Sequence, residues 1–244
     1  MRKMITVAVL TCVMCAAGFA ALTPCASATI ATYLTYTTAA NGCQIDDKVF
    51  FGFNDTITAA GGASATGVGI TVTPVTTAFN PGLNFTLAGF SAGANSSLDL
   101  KLFFTVGVLD GGNLIEDVSL GIGGAQFSGT GLVAIGENAC VGGTFTIPGA
   151  VCSSGGTPPN ELSLNVQNPG PPVVFFDMKI TKPTNLVGVF KDVSVTGGSA
   201  GSASLSSFTQ QFSEVPEVNS ILLLGTCFFI TSLAFRRKRM RQDF

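Results

Sequence analysis

The 244-residue chain contains no histidine and no tryptophan. Without histidine, Ser-His-Asp and Cys-His catalysis, His-ligated zinc and a His-bound haem are excluded. Charge is scarce too: Asp, Glu, Lys and Arg make up 11% of the residues, against about 25% in an average soluble protein. Tyr33 and Tyr36 are the two tyrosines, so the rings with both an apolar face and a polar tip are few. Between residues 29 and 214 arginine is missing, and five lysines stand against twelve acids. An acidic body without arginine is a poor match for phosphate backbones, so no nucleic acid is expected as a partner.

What is present is glycine (30 residues), phenylalanine (20 residues) and a recurrent two-residue period. Leu98, Leu100 and Leu102 alternate with Asp99 and Lys101. Val68, Ile70 and Val72 alternate with Gly69 and Thr71, Leu162, Leu164 and Val166 with Ser163 and Asn165, and Val193 and Val195 with Ser194. Such alternation places one face of a strand in a core and the other in solvent. Turn residues punctuate the runs at Gly61-Gly62, Asn80-Pro81-Gly82, Asp110-Gly111-Gly112-Asn113, Gly142-Gly143, Gly155-Gly156, Asn168-Pro169-Gly170 and Gly197-Gly198. The pattern predicts one all-β domain of ten to twelve strands, an antiparallel β-sandwich or jelly-roll-like body, with phenylalanines filling the space between two sheets. Leu98–Leu109 and Leu114–Ile122 are expected to pair as a hairpin across Asp110–Asn113.

Both ends read as targeting segments. Arg2 and Lys3 precede an apolar run from Met4 to Leu22, and Ala26-Ser27-Ala28 offers the small-x-small pattern of a signal peptidase site. Residues 1–28 are therefore expected to be a signal peptide cleaved between Ala28 and Thr29, leaving a body over 29–214. At the other end, Asn219 to Phe235 carries no charge, and Arg236, Arg237, Lys238, Arg239 and Arg241 follow at once. That run would make about 25 Å of helix, the lower limit for a bilayer span. The basic cluster would hold the C-terminus in the cytoplasm and leave the body outside.

The tail, residues 215–244, resembles the PEP-CTERM sorting tail of Gram-negative bacteria in three parts. These are the motif Val215-Pro216-Glu217, the short Leu/Gly-rich transmembrane helix over 219–235, and the terminal basic cluster over 236–241. The resemblance implies export, processing near the motif by an exosortase-type enzyme of the inner membrane, and a link to exopolysaccharide at the cell surface or in the matrix. Val218 stands where the family motif has its second proline, which would hold that position extended. A tail that is never processed would leave a permanently anchored surface protein. The blocks Glu137–Gly143, Val189–Gly198 and Gly201–Phe208 are similar to stretches of exported, acidobacterial-type bodies carrying this tail. That likeness brings no activity with it.

Of the seven cysteines, Cys12, Cys15 and Cys25 would leave with the signal peptide, and Cys227 lies in the apolar tail. Among the remaining three, Cys140 and Cys152 flank a short excursion and are the preferred disulfide, although Cys43 could pair with either. Asp46-Asp47 and Glu116-Asp117 are adjacent acids whose side chains point to opposite faces of a strand, so neither pair makes a shared site alone. Gly121–Gln126 lacks the third glycine of a dinucleotide loop. The Asn54, Asn84 and Asn95 sequons would carry little weight in the bacterial chain that the tail's resemblance implies. No catalytic residue, metal site or cofactor is expected. The function the sequence favours is that of a non-enzymatic exported protein, structural or polysaccharide-binding. The alternative is a carbohydrate-active enzyme or calcium-dependent lectin built on acids that the sequence does not mark.

Overall fold

The computed structural model describes residues 22–155, 161–168 and 175–215. In chain order its strands begin with β1 (Thr23–Pro24), β2 (Ala28–Thr29), β3 (Cys43–Ile45), β4 (Lys48–Ala60), β5 (Gly69–Thr77) and β6 (Asn80–Ala88). Next come β7 (Ser91–Ala92), β8 (Ser97–Val108), β9 (Ile115–Gly123), β10 (Gln126–Ser128), β11 (Leu132–Val141) and β12 (Phe145–Thr146). The last six are β13 (Val151–Cys152), β14 (Glu161–Asn168), β15 (Phe175–Thr184), β16 (Leu186–Thr196), β17 (Ser202–Ser204) and β18 (Ser207–Gln211). Apart from these, one short helix, α1 (Ile30–Tyr33), and a single 3₁₀ turn at Ala39–Asn41 occur among the described residues.

Two large sheets carry the architecture. The first is seven-stranded, ordered β1-β3-β4-β8-β16-β11-β14, and the second six-stranded, ordered β15-β9-β18-β6-β5-β2. The pairings between their long strands are antiparallel. Alternation decides which residues face inward: Leu98, Leu100, Leu102, Phe104 and Val106 of β8 are buried, as are Val187, Val189, Val193 and Val195 of β16. Leu83, Phe85 and Leu87 of β6 and Phe208 of β18 face them from the second sheet. Aromatic rings close the gap, with Phe104 5.9 Å from Phe85 and Phe50 6.1 Å from Phe212 between centroids. The all-β, antiparallel sandwich expected from the two-residue period is what the chain builds.

The expected hairpin across Asp110–Asn113 does not form. Strand β8 pairs with β4 and β16 in the first sheet, whereas β9 pairs with β15 and β18 in the second. The Asp-Gly-Gly-Asn segment is an arch that carries the chain across the sandwich. A turn rich in glycine serves either connection, and from their separate sheets both strands turn apolar residues into the shared core, Leu100 and Leu102 from β8 and Val118 and Leu120 from β9.

Residues 22–29 also differ from expectation. Cys25 is not set apart from the body but is disulfide-bonded to Cys43. β1 lies along β3, β2 pairs with β5, and the buried Tyr33 hydroxyl donates to the Ala26 carbonyl at 2.9 Å. The expected cleavage residues Ala26, Ala28 and Thr29 are thus woven into the folded body. Most of the expected signal peptide, the Pro216-Glu217 pair, the apolar run over 219–235 and the basic cluster lie outside the described residues. Among the described residues no helix is long and apolar enough to cross a membrane.

Cys140 is bonded to Cys152. The excursion they close folds back over the outer face of the first sheet, where Thr144 Cα lies 2.8 Å from the point a side chain at Gly188 would occupy. Glycine at that position of β16 lets the excursion lie flat on the strand. Beneath it Phe145 packs on Phe190, which stacks on Phe103.

Candidate functional site

Three places on the body gather polar chemistry. The first is a trough on the small sheet β10-β17-β7, where Gln126–Ser128 pairs with Ser202–Ser204, which pairs in turn with Ser91–Ala92. The trough encloses about 430 Å³ and is lined by Ser91, Gln126, Phe127, Ser128, Ser202 and Ser204. Period-two geometry turns a serine out from each short strand, and Ser128 Oγ and Ser202 Oγ are 2.9 Å apart. Phe127 pairs with the buried Ala203 and, by the same alternation, turns its side chain to the opposite face of the small sheet from those hydroxyls; its ring is 41% exposed. A row of neutral hydroxyls with one amide suits a neutral, polyhydroxylated ligand.

The second place is a cleft of about 470 Å³ lined by Asp46, Asp47, Phe79, Gly111, Gly112, Asn113 and Glu214. The arch between β8 and β9 brings Asn113 here, and the chain leaving β18 brings Glu214. At its floor the fully buried Lys48 ammonium donates to Asp47 Oδ1 at 2.5 Å, Glu214 Oε1 at 2.7 Å and the Asn113 carbonyl at 2.8 Å. Burial pushes the Asp47 carboxyl upward. The Lys48 ammonium, the Asn113 N–H and a hydrogen bond with Glu214 outweigh that and hold it below its usual value. A calcium ion would need these same oxygens, and the lysine already occupies the position of the cation. Among the described residues no group of three or more Asp, Glu, Cys or His is placed to hold a metal.

The third place is inside the sandwich. Glu137 of β11 stands directly opposite Lys191 of β16, both pointing into the core, and Gln210 of β18 meets them from the second sheet. Lys191 Nζ donates to Glu137 Oε2 and, at 2.5 Å, to Gln210 Oε1. Relative exposure is 0% for Lys191, 1% for Glu137 and 0% for Gln210. Burial drives the carboxyl of Glu137 above its usual value, against the pull of Lys191 and Gln210. Burial likewise drives the Lys191 ammonium below its own value, against the pull of Glu137. Both shifts favour the neutral pair. Glu137 Oε1 is buried with no hydrogen-bond partner among the described residues.

The acids singled out in the sequence fall in different places. Asp47 joins the cleft, while Asp117 accepts hydrogen bonds from the Ser213 N–H and hydroxyl and braces the end of β18. Tyr33 is buried against Phe53 and Tyr36, so it presents no face to a ligand. Sequence reasoning missed the core triad and the trough. The triad was marked by polar residues at inward positions of apolar runs, Val189-x-Lys191-x-Val193 and Ile135-x-Glu137-x-Ala139. The trough had no such mark, because its strands are far apart in the chain and two or three residues long.

No family model and no curated protein matches the chain. Two solved structures show a distant likeness. One is a family 61 carbohydrate-binding module in complex with β-1,4-galactotriose, 14% identical, covering 64% of this chain and 86% of that one with a TM-score of 0.28. The other is a family 11 carbohydrate-binding module from Clostridium thermocellum in complex with a mixed-linked tetrasaccharide, 6% identical, covering 71% and 93% with a TM-score of 0.21. Neither superposes closely enough to bear on the site.

Proposed function

We propose that this chain is an exported, non-catalytic surface or matrix protein whose sandwich body binds polysaccharide in the serine-lined trough of the small sheet. The observation that carries this reading is the row formed on one face of the small sheet by the hydroxyls of Ser91, Ser128, Ser202 and Ser204 and the amide of Gln126. The acidic cleft supports a non-catalytic reading, because Asp47 and Glu214 are both spent on Lys48 and neither is free to act as acid, base or nucleophile. The tail supplies the address: a membrane anchor held until an exosortase-type enzyme cuts near Val215-Pro216-Glu217, after which the body is released toward exopolysaccharide.

Affinity electrophoresis tests the binding claim. The protein is expected to be retarded in native gels cast with neutral polysaccharide, and Gln126→Ala to lose roughly 2- to 10-fold in affinity, the worth of one hydrogen bond. Equal mobility of both proteins in every polysaccharide gel would overturn the assignment.

A further inference from the structure

We infer that Lys191, Glu137 and Gln210 form an internal crosslinking centre, in which the Lys191 amine and the Gln210 carboxamide condense to an isopeptide bond joining the two sheets. Lys191 belongs to β16 of the first sheet and Gln210 to β18 of the second. A bond between them would cross the core of the sandwich.

Proximity is already in place. Lys191 Nζ lies 2.5 Å from Gln210 Oε1, so with a C=O length of about 1.23 Å the carbonyl carbon is no more than about 3.7 Å away. Reacting atoms held near 3–3.5 Å gain the rate advantage of an intramolecular reaction. The approach of the strands helps hold that geometry: β6 carries Gly82 beside the Gln210 main chain, where any side chain would collide with the Gln210 carbonyl.

The chemistry needs a neutral amine and a group that moves protons, and the desolvated pair supplies both. An ammonium and a carboxylate in contact inside an apolar core are equivalent, after one proton transfer, to an amine and a carboxylic acid. The amine attacks Cδ of Gln210 and the Cδ–Nζ bond forms. Glu137 takes a proton from Nζ and delivers its own to Nε2. The Cδ–Nε2 bond then breaks and ammonia leaves. One amine and one primary amide become one secondary amide and ammonia, with Glu137 returned to its starting state and no oxidant or cofactor consumed.

Surroundings favour the step. Phe208 lies under the amine, with its ring centre 5.5 Å from Nζ, and Val189, Val193, Ile135 and Leu120 are all buried nearby in the strands. Bulk water, which would keep the ammonium charged, is excluded. Glu137 Oε1, buried and without a hydrogen-bond partner among the described residues, is free to receive a proton. The Lys48 cluster lacks this arrangement. There the ammonium meets two carboxylates and a main-chain carbonyl at the floor of an open cleft.

Peptide mapping of the full chain, expressed with its own leader in a Gram-negative host, decides the matter. No basic residue lies between Lys191 and Arg236. A crosslinked protein should therefore resist trypsin at Lys191 and yield, as the main species, a looped peptide containing Lys191 and Gln210 that is lighter by one ammonia. Cleavage after Lys191 with unmodified masses would overturn the inference. A bond that instead links Lys191 to Glu137, with loss of water, would overturn the assignment of Gln210. Lys191→Arg keeps the charge and is expected to show no ammonia loss. Glu137→Gln, with both disulfides formed as evidence of folding, is expected to remain uncrosslinked, and wild-type crosslinking in that variant would remove Glu137 from the mechanism.

Discussion

Cys25 is bonded to Cys43, 18 residues further on, and so fastens the stretch that carries the expected signal-peptidase site to the first sheet. A loop of that size contributes about 3 kcal/mol in the chain-entropy model. Cleavage after Ala28 would discard Cys25 and leave Cys43 as a buried unpaired thiol. If the chain is exported as proposed, its mature form is expected to begin upstream of Thr23, which N-terminal sequencing checks. A mature chain starting at Thr29 would contradict the pairing. Cys43→Ser should lower unfolding stability by about 3 kcal/mol in urea titration.

Lys48 pairs with two carboxylates at the floor of the acidic cleft. Lys48→Met keeps the side-chain volume but strands Asp47 and the buried Glu214. Breaking a buried pair from one side costs about 3–5 kcal/mol, and the urea midpoint should fall accordingly. A variant as stable as the parent would mean that the cleft is hydrated well enough to carry both charges.

Asp99, on the outer face of β8, is pushed up from 3.8 to about 6, first by partial burial and then by a hydrogen bond to Asp192 and that residue's negative charge, with Lys101 opposing. Between those two pH values the folded chain holds more protons than the unfolded one. This contribution to stability is present below about pH 4 and is lost as pH rises through about 6. Because the group is largely solvated, Asp99→Asn should gain only roughly 0.5–1 kcal/mol at pH 7, and nothing at pH 3.5. Unfolding titrations at the two pH values read the difference directly.

Phe104 is buried between Phe53, Phe85 and Phe212, where the two sheets meet. Phe104→Ala should cost about 3–5 kcal/mol, measurable as a fall in the denaturant midpoint.

For the tail, intact-mass spectra of membrane and culture supernatant should show a released species ending near Val215-Pro216-Glu217. A full-length membrane form still carrying Arg236 to Arg241, with nothing in the supernatant, would make this a permanently anchored protein and assign the block to Val218.

The period-two alternation of Leu98, Leu100 and Leu102, or of Val193 and Val195, was enough to read an antiparallel all-β body, because strand geometry alone sets that spacing. Which strands pair was not legible. The Asp110–Asn113 turn fits a hairpin and an arch equally, and the choice is made by burial on two sheets at once. Cys25 was assigned by its place near the apolar leader, a local signal that says nothing of its partner. The sites were harder still: Asp47 and Glu214 are far apart in sequence, and only the closed sandwich brings both to Lys48. Lys191 and Glu137 are charges at inward positions of apolar runs, a signal the sequence reading did not take up, and their shared partner Gln210 lies in the opposite sheet.

The central claim is that the trough receives polysaccharide. Titrating isotopically labelled protein with a neutral oligosaccharide and following amide shifts by NMR tests it most directly. The account predicts saturable shifts confined to Ser91–Gly93, Gln126–Ser128 and Ser202–Ser204, weakened in Gln126→Ala. Shifts centred on Asp47, Asn113 and Glu214, or none at millimolar ligand for any polysaccharide fragment, would contradict it.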